Sequence, residues 1–111
     1  MSVESRHYEV IVLSEVDKEL EDAYDWYLLV SDELAFDLIK EFKECCQAIV
    51  DSPNKQLVHA SARHILLKRF PYAIYYNLDQ TKKLITLLSF VHVKRNPSVW
   101  RKAIKTRRRR F

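Results

Sequence analysis

The sequence predicts an α+β domain whose elements run strand, two helices, three strands and a short helix. Three observations predict it. Apolar residues recur every three or four positions across residues 16–49, short β-branched and aromatic runs occupy 65–91, and proline or polar clusters separate these segments. At 111 residues with 48% hydrophobic content, one core accounts for the chain, since a second would leave both too small. Residues 1–104 are expected to form one domain, and residues 105–111 a basic tail.

Tyr8-Glu9-Val10-Ile11-Val12-Leu13 is short and β-branched, which predicts a strand closed by Ser14. Ser14-Glu15-Val16-Asp17 has the pattern of a capping box, in which the Ser14 hydroxyl accepts an orphan amide, and a helix is expected to start there. Val16, Leu20, Ala23, Tyr24, Tyr27 and Val30 form its apolar stripe. Ser31-Asp32 can cap a second helix, whose stripe of Leu34, Ala35, Leu38, Ile39, Phe42, Cys46 and Ile49 runs until Pro53 forbids continuation. The two helices make an antiparallel hairpin.

Residues 52–62 show neither period and are expected to be a long connection. Runs at 65–67, 72–76 and 84–91 follow, with turns offered by Phe70-Pro71 and by residues 77–82, and read as an antiparallel meander. The chain has no glycine, so positive-φ turns are expected at Asn77, Asp79 or Asn54, and loose hairpins are favoured over tight ones. Tyr72 and Tyr76 alternate with Tyr75, which predicts that at least one set is core. Pro97 can open the last helix through Trp100 and Ala103, and the like charges from Lys105 onward favour a solvated tail.

The net charge of +4 conceals a division. Residues 1–51 hold 4 Lys/Arg against 14 Asp/Glu, and residues 52–111 hold 15 against 1, net −10 followed by +14. Such asymmetry points either to an anionic partner for the second half, nucleic acid or an acidic protein segment, or to mutual neutralisation in the fold. No run of about 18 apolar residues exists to cross a bilayer, and residues 1–6 lack the features of a signal peptide. Cys45 and Cys46 are adjacent, a spacing that suits neither an ordinary disulfide nor a CxxC metal site, which fits a reducing cytoplasm and predicts packing residues. No metal constellation and no phosphate-cradling glycine loop is present, and no cofactor or membrane partner is expected.

The element order, the segment Leu67-Lys68-Arg69-Phe70-Pro71-Tyr72-Ala73-Ile74-Tyr75-Tyr76, the Trp26-Tyr27 pair, Pro53, and His92-x-x-Arg95-x-Pro97-x-x-Trp100 together resemble the RelE/ParE superfamily of toxins, often labelled plasmid stabilization proteins, over nearly the whole length. The resemblance implies a helical hairpin packed on an antiparallel sheet, and a cognate antitoxin whose disordered, often acidic segment wraps the toxin. It implies one of two activities. RelE-like members cleave messenger RNA on the ribosome, and ParE-like members bind DNA gyrase and block it.

Cleavage through the 2′-hydroxyl needs a base, an acid, and cations to stabilise the crowded phosphate. Arg63, Arg69, Lys94 and Arg95 are candidates to converge on one sheet edge, each alternatively a solvated strand-end charge. His92 matches the family position and has the pKa range for acid or base work, its alternative being a structural hydrogen-bonder, while His7, His59 and His64 are not expected to act. His92, Arg63, Arg69 and Arg95 are therefore the catalytic candidates if the protein is a metal-independent endoribonuclease. Arg63, Lys68, Arg69, Lys94, Arg95, Trp100 and Arg101 are the candidates for binding a target or nucleic acid. Many RelE-like ribonucleases carry a catalytic tyrosine in the C-terminal segment where this sequence has Trp100. That departure favours the ParE-like activity, with ribosome-dependent cleavage and an inactive binding module as alternatives. The tail, from Arg101 through Arg110, suits phosphate neutralisation, folding back on the acidic helices, or docking by the antitoxin.

Overall fold

The computed structural model of the protein describes residues 8–55 and 57–111. Residues 1–6, His7 and Gln56 lie outside the described residues. In chain order the elements are β1 (Glu9–Val12), α1 (Ser14–Leu28), α2 (Asp32–Asp51), β2 (Leu57–His59), β3 (Ala62–Leu66), β4 (Tyr72–Asp79), β5 (Leu84–His92) and α3 (Pro97–Arg108).

β1 runs straight into α1. The Leu13 N–H still donates to the Leu87 carbonyl at 3.3 Å while Leu13 serves as N-cap, so Ser14 falls inside the first turn and the expected capping box does not form. Ser31 behaves as its sequence predicts, capping α2 with its hydroxyl accepting from the Leu34 N–H at 3.3 Å. α2 stops at Asp51, two residues before Pro53. Val30, assigned to the apolar stripe of α1, lies beyond that helix and is exposed.

The sheet order is β1-β5-β4-β3-β2. β2 to β5 form an antiparallel meander, and β1 joins β5 in parallel, which makes the sheet mixed rather than antiparallel throughout. A parallel pair needs a long crossover, and all the elements between β1 and β5 provide it. The segment 52–62, expected as a plain connection, contains β2 and turns tightly into β3 through Ala60 and Ser61, with φ 51° and 62°. Positive φ otherwise falls at Lys83 and Asn96, not at Asn54, Asn77 or Asp79, and the last two are strand residues of β4. Two successive positive-φ residues match the twist of a two-residue hairpin, which outweighs the steric cost of their Cβ atoms.

Both faces of the sheet are covered. On one, Val16, Ala23, Leu38, Phe42 and Ile49 of the helical hairpin pack on Ile74, Tyr76, Ile85, Leu87 and Phe90. On the other, Ile104 and Trp100 of α3 pack on Ala62, Ala73, Tyr75, Leu88 and Val91. Tyr72 and Tyr76 thus face the hairpin and Tyr75 faces α3, all three buried. The register passes from Tyr75↔Ser89 to Tyr76↔Leu87, so Leu88 is an extra residue in β5. This bulge restores alternation to both faces, with Leu87 and Phe90 under the hairpin and Leu88 and Val91 under α3.

α3 continues to Arg108, so the segment expected as a tail from residue 105 is helical in its first four residues while Lys105, Arg109 and Arg110 stay exposed. Its charge is neutralised from a distance: Arg107 Nη1 lies 3.0 Å from Glu19 Oε2 and Arg110 Nη2 lies 2.7 Å from Glu15 Oε2. Arg107 also donates to the Leu88 carbonyl at 2.9 Å, and the Phe90 N–H donates to Glu19 Oε1 at 3.0 Å. The stretch of β5 that β1 is too short to pair is therefore closed by one side chain from α1 and one from α3. Of the five ion pairs among the described residues, four join an acid of the first half to an arginine of the second, so the two charged halves do neutralise one another in part. No helix among the described residues is long and apolar enough to cross a membrane.

Candidate functional site: an aromatic and cationic end of the sheet

The first residue of β4, Tyr72, pairs with the last of β5, His92, and this end of the sheet collects the C-terminal turn of α1 and the β3–β4 connection. Tyr72 stacks on Phe90 with centroids 4.7 Å apart and meets His92 edge-on at 5.2 Å. Tyr27 touches Phe70 at 5.1 Å and Tyr72 at 6.5 Å, and Trp26 touches Tyr27 at 5.3 Å. The ladder runs from the core to solvent, where Trp26 is 51% exposed. The Arg95 guanidinium lies 5.8 Å from the Trp26 ring centroid, and its charge acts on the Tyr72 hydroxyl.

Arg69 is held in place from α2. Glu41 Oε1 accepts the Lys68 and Arg69 backbone N–H groups at 2.9 and 3.1 Å, its Oε2 accepts Arg69 Nε at 2.7 Å, and Arg69 Nη1 reaches Asp37 Oδ2 at 3.3 Å. Burial by itself would raise the Glu41 pKa, but the hydrogen bonds from Arg69 and Lys68 outweigh it and hold the carboxyl below its ordinary value. Glu41 is absent from the sequence-derived candidates, although a signal existed: it lies three residues after Leu38 and four before Cys45, on the buried stripe of α2.

His92 accepts the Lys94 backbone N–H on Nδ1 at 3.2 Å, which puts the proton of the neutral ring on Nε2. Burial, then the nearby Arg95 and Lys94 charges, lower its pKa, so the ring is neutral at pH 7. Burial raises the Tyr72 pKa, keeping its hydroxyl protonated.

Arg69, His92, Arg95 and the exposed Lys68 and Lys94 thus share one end of the sheet. Arg63 does not. It pairs with Tyr76, four residues along β4 from Tyr72 and two strands from β5, about 13 Å along the strands and about 10 Å across them from His92. Its guanidinium donates to the Lys55 carbonyl. Trp100 and Arg101 belong to the opposite face, where Trp100 lies 5.5 Å from Tyr75 and Arg101 lies over Trp100 at 5.3 Å. Trp100 therefore holds α3 on the sheet. Of the other histidines, His59 Nε2 is 2.8 Å from the Arg101 carbonyl oxygen and His64 meets Tyr75 edge-on at 5.1 Å. Cys45 and Cys46 are free, and burial raises both thiols, Cys46 to about 11, as packing residues require.

A strand leading into a helical hairpin, laid on a mixed five-stranded sheet whose other face carries a C-terminal helix, is an α+β fold. No family model and no curated protein matches the chain. Among solved structures, a chain of the chromosomal ParDE TA system from P. aeruginosa superposes with a TM-score of 0.67 over 80% of this chain and 99% of that one, at 19% identity. At that identity the likeness is one of fold.

Proposed function

We propose that the protein is the toxin of a type II toxin–antitoxin system, ParE-like in inhibiting DNA gyrase, and that a cognate antitoxin silences it. The similar solved chain belongs to a toxin–antitoxin system, and the aromatic and cationic end offers a surface for binding rather than for cleavage. The observation that carries this choice is the dispersal of the cleavage candidates. Arg63 stands far from His92 on a backbone carbonyl, Arg69 is neutralised by Glu41 and Asp37, and His92 has its Nδ1 occupied by the Lys94 N–H and a protonated Tyr72 against its ring. Binding needs no such convergence. Lys68, Lys94 and Arg95, the last over the Trp26 ring, supply charge and an aromatic anchor for a protein target. At the hairpin tip, Leu29, Val30 and Phe36 are 89%, 59% and 62% exposed, apolar surface that an amphipathic antitoxin segment would cover.

A supercoiling assay tests the reading. Gyrase is inhibited by the wild-type protein and by His92→Ala, and inhibition falls at least about tenfold in Trp26→Ala/Arg95→Ala, as loss of an interface anchor requires. Supercoiling unchanged at saturating protein overturns it. New cleavages in translated messages by primer extension, abolished in His92→Ala and Arg63→Ala, transfer the function to the ribosome, and induced expression that leaves growth unaffected reduces the chain to a binding module.

A further inference from the structure

Residues 80–111 contain eleven Lys/Arg and no Asp/Glu, and the structure divides those of the last helix into two sets. Arg107 and Arg110 turn toward α1 and are consumed by Glu19 and Glu15. Arg101, Lys102, Lys105 and Arg109 are exposed and have no carboxylate partner among the described residues. Ser98, Lys102, Lys105 and Arg109 follow one another at intervals of four, three and four, a single stripe about 16 Å long. Beside it lies an open trough of about 480 Å³ lined by Ser98, Val99, Lys102, Ala103 and Thr106 and, on the side toward α1, by the paired Arg107 and Arg110. Like charges three and four apart repel on an isolated helix, and an anionic occupant relieves them together.

We infer that this outward face of α3 binds the phosphate backbone of duplex DNA. An acidic protein segment fits less well, because protein interfaces centre on aromatic and larger apolar side chains, and this face offers only Val99 and Ala103. A single strand fits less well, because sequence-tolerant single-strand binding relies on exposed aromatic platforms, and the one aromatic residue of α3, Trp100, is turned under the helix against Tyr75. Duplex RNA fits less well, because the B-form major groove, about 12 Å wide, admits a helix and brings its cations to the phosphates of both walls, and the narrow A-form groove does not. Lys102, Lys105, Arg109 and the Ser98 hydroxyl are groups that contact phosphates, and a contact made to the backbone alone carries no sequence information. The inference concerns the face opposite the hairpin and stands whether or not the protein is a toxin.

The test is fluorescence anisotropy with a labelled duplex of about 20 base pairs and arbitrary sequence. Three or four phosphate contacts give log affinity a slope of about −3 to −4 against log salt, and Lys102→Glu/Lys105→Glu/Arg109→Glu, all exposed positions, weakens binding about 100-fold at low salt and flattens the slope by about 3. Lys40→Glu/Lys43→Glu/Lys82→Glu, an equal change in net charge elsewhere on the surface, keeps most of the affinity. Circular dichroism of both variants matches the wild type. Equal weakening by the two triple variants overturns the inference, as does competition by polyglutamate, single-stranded DNA or duplex RNA that exceeds competition by duplex DNA.

Discussion

Under the helical hairpin, Tyr76 donates its hydroxyl to the Pro53 carbonyl at 2.7 Å and Glu41 accepts three N–H bonds from the turn above it. Under α3, His64 Nδ1, Thr86 Oγ1, Trp100 Nε1 and Arg108 Nε are buried with no protein hydrogen-bond partner among the described residues. Both faces exclude water with apolar side chains, but one finishes its polar groups and the other leaves them orphaned, at about 1–3 kcal/mol each. The hairpin is thereby specified in position. α3 is held by Ile104, by Trp100, and by the arginines that reach α1.

Breaking the well-finished face has the largest expected effect. Leu38→Ala, at a fully buried position, lowers stability by about 3 kcal/mol in a urea melt. Glu41→Gln comes next, at about 2 kcal/mol, since the bonds it weakens are charge-assisted. Its pH signature is specific. The Glu41 pKa is lower folded than its ordinary 4.5, so its stabilisation is complete above about pH 4.5 and is lost as pH falls through the folded value, and the variant flattens that acid limb. The smallest effects sharpen the contrast: Tyr76→Phe strands the Pro53 carbonyl and costs about 1 kcal/mol, whereas Thr86→Val removes an orphaned hydroxyl without changing shape and gains about 0.5 kcal/mol. Equal costs for this last pair would erase the distinction between the faces.

The sequence made the helices legible because the stripes of α1 and α2, the Ser31 cap and Pro53 are local signals. β3, β4 and β5 were legible for the same reason. What it hid was non-local or unconventional. β2 escaped notice because Ala60 and Ser61 are poor advertisements for a tight turn. Nothing in Glu9–Val12 names β5 as its parallel partner. The helical course of residues 105–108 depends on Glu15 and Glu19, some ninety positions away. In the candidate site, His92, Arg69 and Arg95 could be read together from their place at strand ends, but Arg63 could not be excluded without the register that sets it opposite Tyr76. Trp26 gained its place only through α1 ending beside β5.

The closure of β5 by Glu19 and Arg107 has a consequence for handling the protein. A chain cut before Arg107 leaves the Leu88 carbonyl without its donor and half of the closure at that margin of β5 undone, Glu19 still holding the Phe90 N–H. Bare margins recruit other strands, so trimming the arginine-rich end to improve solubility instead produces a molecule that templates its own precipitation.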